Sequence, residues 1–373
     1  MKIAFLCGSL EPGHDGVGDY TRRLAGELTK QGHHAVIIAL NDKAANVKSE
    51  EMQSIENIEL PVLRIPFNYS SDKRFAVAGK WLNSFNPDWI SLQYVPYSFQ
   101  NKGLPFGLKS LLRKLGEGRK WHIMFHELWI GFTKISPARH RMVGFLQEKI
   151  AASIVRSLDP KTVTTTNRLY QLLLLKNNIK ATILPLFSNI PVAPADQSFI
   201  SSVLQGIPVK VNELDQFVIT GFFGNLYPEA ELEKGLDEQL SHAEVAKKKM
   251  ICIGFGNISM EGLKEFKRLE ARFSGKIKFL HLGKQSATNV SNLLQMLDMA
   301  FSCTPAQHIG KSGVFAAMQL HGVNVLLPKG DTIPEYDSEI KRYNEELLKR
   351  PPLNWSVNYI SSNFSQLLNA VDA

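Results

Sequence analysis

Short apolar runs alternate along the whole chain with longer amphipathic stretches, and this alternation restricts the fold more than any other feature. KIAFLCG, HAVIIAL, VLRIP, WISLQYV, HIMFHE, TVTTT and ATILPL read as strands in the first half. FVITGFFG, MICIGFG, IKFLHLG, DMAFSCT and NVLLP read as strands in the second. Strands that are nearly continuously apolar are buried on both faces, which points to parallel sheets with helices outside. The intervening stretches are long enough for crossover helices. At 373 residues the chain exceeds one ordinary domain. A break falls near 187–216, where FSNIPVAPADQSF carries prolines without long periodicity and a fresh strand–helix series follows. The expected fold class is α/β, with two doubly wound, Rossmann-like domains facing each other across a cleft. Ligands of such sheets sit beyond the carboxyl ends of the strands.

Composition narrows the setting. The chain is 44% hydrophobic and 21% charged, as in a soluble globular protein. Its first residues, MKIAFLCGSL, are apolar for only about one strand, too short for a signal peptide. No run approaches the roughly 20 apolar residues of a membrane span. Cys7, Cys252 and Cys303 lie far apart in strand-like runs and read as buried thiols of a reducing, cytoplasmic compartment. No Cys/His spacing for zinc and no D-x-D motif is present, so no metal site is expected. A net charge of +8 favours an anionic partner such as nucleotide phosphate or a lipid head group. Nucleic acid is not expected, because no recognisable binding motif accompanies the charge.

Two stretches could carry chemistry. EPGHDGVGDYTRRLAGELTKQGH, residues 11–33, follows the first strand and opens a helix with Val17, Tyr20, Leu24 and Leu28 as its apolar stripe and Gly32 as its end. Gly13, Gly16 and Gly18 permit close backbone approach, and a helix start offers N–H groups to an anion. The pattern is neither G-x-G-x-x-G nor a P-loop, so a plain turn before a helix explains it as well. In HIMFHELWIGF, His126 and Glu127 fall where a strand should end. His126 could bond a sugar hydroxyl or stabilise developing charge, or simply cap the strand. Separately, residues 101–120 hold six basic residues against one acid, with Leu108, Leu111, Leu112 and Leu115 as the opposing stripe. That is either a membrane-surface helix presenting Lys109, Arg113 and Lys114, or a core-facing helix with solvated lysines.

The opening segment through QGH, followed by IMFHELWIGF, resembles the N-terminal domain of group 1 glycosyltransferases, the large retaining family 4 with the two-domain GT-B fold. GFFGNLYP, MICIGFG, FLHLGKQSATNVSNLLQMLDMAFSCTP and KSGVFAAMQLHGVNVLLP follow that family's C-terminal order. LNWSVNYISSNFSQLLNAV resembles its terminal helix, which crosses back onto the first domain. The resemblance implies an N-terminal acceptor-side domain over 1–190, a nucleotide-sugar-binding domain over 191–352 and a crossing helix over 353–373. It implies a metal-independent transferase, a hexosyltransferase, with no cofactor. Its donor would be a nucleotide-sugar and its acceptor a glycan or lipid-linked molecule of cell-surface polysaccharide synthesis. Anomeric configuration would be retained.

The same resemblance implies site residues. Gly16, Val17 and Gly18 would lie near donor phosphate or acceptor. Lys311, Ser312 and Gly313 would open the helix that holds the diphosphate, with Lys311 as the leaving-group cation. His126 matches the family's active-site histidine; Glu127 and His308 are further sugar-contact candidates. The family's Glu-x7-Glu pair is missing: its places fall near His308 or Ile309 and near Ala316 or Ala317. The family's phosphate-clamping lysine is also missing after the proline of GFFGNLYPEAEL, with Lys284 as a substitute. These departures keep a second expectation open, that of a non-catalytic nucleotide- or glycan-binding homologue or an accessory subunit.

Overall fold

The apolar runs fold as the strands of two sheets. The computed structural model describes residues 1–133, 136–207, 211–227, 231–327 and 333–371. The chain divides into two units, Met1–Pro185 with Val357–Ala373, and Leu186–Ser356.

The first unit is built on β1 (Lys2–Cys7), β2 (His34–Asp42), β3 (Ser49–Ile55), β4 (Ile58–Pro66), β5 (Trp89–Tyr94), β6 (Lys120–Phe125), β7 (Thr162–Thr165) and β8 (Thr182–Ile183). Their order across the sheet is β3-β4-β2-β1-β5-β6-β7-β8. All neighbours are parallel except β3 and β4. The β3–β4 hairpin is absent from the sequence reading. Its turn residues Glu56 and Asn57 both adopt positive φ, as the two-residue turn matching strand twist requires. Ser49–Ile55 escapes pattern reading because it is an edge strand that alternates between half-buried and exposed positions and carries the adjacent acids Glu50 and Glu51. Conversely, ATILPL supplies only the two-residue β8.

Helix Gly16–Lys30 buries Tyr20, Leu24 and Leu28 as expected, but Val17 is only half-buried and Gly18 takes the buried place at the helix start. The helix stops at Lys30, and Gly32 follows with φ +85°. The closing helix, Val357–Asn369, belongs to this unit. Its Phe364 ring packs against Phe5 of β1 and edge-on against His122 of β6. Ser361 of the same helix accepts a 2.7 Å hydrogen bond from Gln31 Nε2.

The basic helix spans Leu108–Leu115. Leu108, Leu112 and Leu115 are buried and Leu111 half-buried, while Lys109, Arg113 and Lys114 are exposed. The leucine face packs into the fold beside helices Ser71–Phe85 and Ala138–Leu158. It is a core-facing helix with a solvated basic side, so its leucines are not free to enter a lipid layer.

The second unit holds β9 (Phe217–Phe223), β10 (Lys249–Phe255), β11 (Ile277–Gly283), β12 (Met299–Phe301) and β13 (Asn324–Leu326), in the order β11-β10-β9-β12-β13. All neighbours are parallel. Alternate residues of β10 feed two separate cores: Ile251, Ile253 and Phe255 on one face, Met250 and Cys252 on the other. Burial on both faces is why these runs lack polar alternation. The stretch after Leu186, read as a break, contains a helix, Gln197–Leu204, capped by Asp196 and packed into the first of these cores. Among the described residues, no helix is long and apolar enough to cross a membrane.

Candidate functional site

Each sheet has one place where the strand order reverses, and the glycine loop after β1 and the KSG helix start lie at these two places, whereas Lys284 lies at a sheet edge and Lys109, Arg113 and Lys114 lie on a separate helix. In the first unit the reversal lies between β1 and β5. The loop leaving β1 nearly touches the short helix Pro96–Phe99 that follows β5, since a Cβ on Gly8 would come within 2.5 Å of Ser98 Cβ. A cavity of about 570 Å³ opens there, lined by Ser9, Glu11, His14, Asp15, Asn41 and Lys43 among others. Such reversal points are where ligands of open parallel sheets bind.

The three glycines of the first loop have three different physical reasons. Gly13 has φ +74° and makes a turn that favours glycine. Gly18 is packed: a Cβ on it would come within 2.5 Å of the Ser9 carbonyl oxygen. Gly16 has neither reason, because a Cβ there would meet nothing within 4 Å and its φ is ordinary. Asp15 caps the helix by accepting the Gly18 N–H at 2.8 Å. Asp19 accepts the Gly13 N–H at 3.1 Å and pairs with Arg22. The helix start is thus already held by carboxylates, and its dipole is answered from within the chain.

Asp42, at the end of β2, ties this loop down. It is fully buried and accepts from Ser9 Oγ, the Leu10 N–H, the Ala44 N–H and Arg64 Nε. Burial works to raise its pKa, but the Arg64 guanidinium and the other donors outweigh this and hold the carboxyl below its ordinary range. Arg64 also reaches Glu11, at 2.6 Å. Neither Asp42 nor Arg64 was singled out by sequence. The acid closing a strand-like run was their only local signal.

His126 directly follows β6 and is 6% exposed. Its ring lies edge-on to Tyr20 of the first helix, with centroids 4.9 Å apart. Its Nε2 is 2.8 Å from Gln93 Oε1 on β5. Because a carbonyl oxygen only accepts, Nε2 carries the hydrogen. Burial pushes the pKa down to about 3, so the ring is neutral near pH 7. Of the two ligand-directed roles that the sequence left open beside a plain strand cap, a neutral ring suits contact with a hydroxyl better than stabilisation of charge. Glu127 is exposed beside it. The structure therefore brings Gly16–Gly18, Tyr20 and His126 together at one end of the first sheet.

In the second unit the order reverses between β9 and β12. Gly224, just after β9, has φ +88°, and a Cβ on it would come within 3.3 Å of Val314. The GFFG run and the KSG run thus meet at the reversal point. Ser312 caps helix Gly313–Leu320, accepting the Phe315 N–H at 3.2 Å and the Thr304 hydroxyl at 3.0 Å. Lys311 is half-buried immediately before it. A Cβ on Gly313 would meet nothing within 4 Å. His308 is pushed down to about 4 by burial and by the nearby Lys311 charge, which leaves Lys311 as the cation of the pair. Lys284 is exposed just beyond β11, at the sheet edge. Of the places of the absent glutamates, Ile309, Ala316 and Ala317 are buried in apolar core and His308 is half-buried. The proline and its followers at 228–230, read for a missing lysine, lie outside the described residues. Among the described residues, no group of three or more His, Cys, Asp or Glu is placed to hold a metal ion.

No protein-family model matches the chain, and a search of the curated proteins gives no match. Solved structures do match along nearly its whole length. A glycosyltransferase from Rickettsia africae ESF-5 aligns at TM-score 0.58 and 15% identity, covering 99% of this chain and 98% of its own. Anabaena Alr3699/HepE, solved with UDP and glucose, aligns at 0.55 and 14%, covering 99% and 100%. A UDP-GlcNAc 2-epimerase from Methanocaldococcus jannaschii aligns at 0.47 and 12%, covering 99% and 100%. The fold is that of GT-B proteins: two α/β domains with parallel, Rossmann-like sheets.

Proposed function

We propose that this protein is a metal-independent glycosyltransferase of the retaining, family 4 type. It would move a sugar, a hexose, from a nucleotide-sugar to a hydroxyl of a glycan or lipid-linked acceptor. The observation that carries this reading is the start of helix Gly313–Leu320. There a hydroxyl cap, the Lys311 cation and an unobstructed Gly313 lie at the reversal point of a parallel sheet. Those features suit a leaving diphosphate, which N–H groups, helix dipole and ammonium stabilise as the sugar departs. The first unit would supply the acceptor side. Its helix start is capped by carboxylates, which suits neutral hydroxyls better than phosphate. Gly16 would let a ligand approach the backbone there, and His126 Nδ1 would accept a hydroxyl hydrogen of a bound sugar. The chain offers positioning and electrostatics to a same-face displacement, with no protein nucleophile required.

The carboxylate-free helix Gly313–Leu320 favours a second reading, a nucleotide- or glycan-binding homologue without catalysis. Contact with an anionic membrane face would use Lys109, Arg113 and Lys114 by charge alone, since the leucines behind them are buried. The test is incubation with UDP-, ADP-, GDP- and dTDP-sugars and hydroxyl acceptors, following nucleotide release and product anomer. Release coupled to an α-linked product from an α-donor supports the proposal. Binding without turnover selects the second reading, and epimerised donor without transfer defeats both.

A further inference from the structure

Six side chains on one face of the first sheet are joined end to end. Ser91 and Gln93 lie on β5, His122 and Met124 on β6, and Thr164 on β7. Ser91 pairs in register with His122, and Met124 pairs with both Gln93 and Thr164. The two-residue period of a strand puts them all on the same face, and His126 continues the series one pleat beyond β6.

The separations leave no gap. His126 Nε2 to Gln93 Oε1 is 2.8 Å, and Gln93 Nε2 to Ser91 Oγ is 2.7 Å. Ser91 Oγ to His122 Nδ1 is 2.8 Å, and His122 Nε2 to Thr164 Oγ1 is 2.8 Å. Thr164 Oγ1 to Met124 Sδ is 2.8 Å. Every member is buried, and Phe364 of the closing helix stands edge-on to His122 at 5.0 Å.

The direction follows from the ends. A thioether has no hydrogen to give, so Thr164 donates to Met124 and its oxygen accepts from His122 Nε2. His122 Nδ1 is then bare and accepts the Ser91 hydroxyl. Ser91 in turn accepts from the Gln93 amide, which turns Oε1 toward His126 and makes His126 Nε2 the donor. Running the chain backwards would strip the sulfur of its donor. It would also move the His126 hydrogen from Nε2, which faces Gln93, to Nδ1.

We propose that Met124, Thr164, His122, Ser91 and Gln93 form a one-way hydrogen-bond relay that holds His126 as its Nε2–H tautomer and leaves Nδ1 as an acceptor for a ligand hydroxyl. The identity of that hydroxyl rests on the function proposed above, whereas the tautomer does not. Burial, which pushes both histidines down to about 3, keeps the relay uncharged. The relay members are positioning residues, acting on a ligand only through His126.

The test is nitrogen NMR of the full chain labelled with ¹⁵N-histidine, with His122 and His126 assigned by the signals lost in His122→Asn and His126→Asn. Both rings are expected neutral at mildly acidic and neutral pH, with pyrrole-type Nε2 and pyridine-type Nδ1. An Nδ1–H tautomer at His126, or a protonated ring near neutrality, overturns the proposal. Met124→Leu nearly conserves volume and removes the terminal acceptor, so the Nε2–H population of both rings should fall. Unchanged tautomers in a folded Met124→Leu protein would show that the sulfur does not set the direction. In transfer assays Ser91→Ala should lower kcat by about tenfold or more at nearly constant donor KM, and Ser91→Thr should restore it. An equal loss in both variants contradicts a relay through that hydroxyl. Absence of turnover in the unaltered protein would defeat the transferase reading while leaving the tautomer result to stand.

Discussion

Replacing Gly16 and Gly18 by alanine, one at a time, separates a glycine kept for a ligand from a glycine kept for packing. Gly16 is the first residue of its helix, is exposed, and has empty space where a Cβ would go. Alanine there restricts the unfolded chain and should stabilise the fold by about 0.4–1 kcal/mol. The melting midpoint should rise by roughly 1–4 °C. Gly18 faces the Ser9 carbonyl oxygen at a Cβ distance of 2.5 Å, and both groups are backbone. Alanine there must separate the helix start from the β1 loop, at a cost of about 1–3 kcal/mol. If a ligand approaches Gly16, Gly16→Ala should lose about tenfold or more in kcat/KM for transfer, or about 1.4 kcal/mol, while becoming more stable. Calorimetric melting beside a transfer assay reads both quantities. Wild-type turnover in Gly16→Ala would make that residue a plain helix start. Wild-type stability in Gly18→Ala would refute the packing account.

Other outcomes follow from the same geometry. Ser312→Ala removes the cap hydroxyl that serves both Phe315 and Thr304, and should cost about 1 kcal/mol in urea unfolding as well as weakening diphosphate binding. His122 and His126 are held near 3 when folded against 6.5 when free, so the unfolded chain takes up protons that the native chain excludes. Stability should therefore rise with pH from about 3 to about 6.5 and level off above. The slope is up to about 1.4 kcal/mol per pH unit per histidine, and His122→Gln should flatten it. Asp42 adds a further loss as pH falls through its depressed carboxyl pKa, which Asp42→Asn should abolish while destabilising the fold at neutral pH. Sedimentation with anionic vesicles should show binding that disappears in high salt and in Arg113→Glu, because only charge is available at that surface.

The sheets were legible because residues buried on both faces must be apolar throughout, as in KIAFLC and MICIGF. The edge hairpin Ser49–Pro66 was only half legible, since an exposed edge strand has no such constraint. The basic helix could be read two ways until its leucines were seen to be covered. At the sites, His126 stood out because a strand end is a local signal, and the KSG helix start stood out only through the family resemblance. Ser91, Gln93, His122 and Thr164 did not, although WISLQY and KWHIMF show their alternation plainly in retrospect. Only strand register turns three separate polar alternations into one connected relay. The glycine loop shows the same limit: Gly13, Gly16 and Gly18 look alike in sequence, and their reasons differ only once φ and the neighbouring backbone are known.

The account stands or falls on whether the helix start at Ser312–Gly313 holds a nucleoside diphosphate. Calorimetric titration of the protein and of Lys311→Ala with UDP, GDP, ADP, CMP and dTDP tests this directly. The account predicts that one nucleoside diphosphate binds selectively in the micromolar range. It also predicts that loss of the Lys311 charge weakens that binding by about 1–3 kcal/mol. Absence of binding by any of the five, or binding indifferent to Lys311, would contradict it.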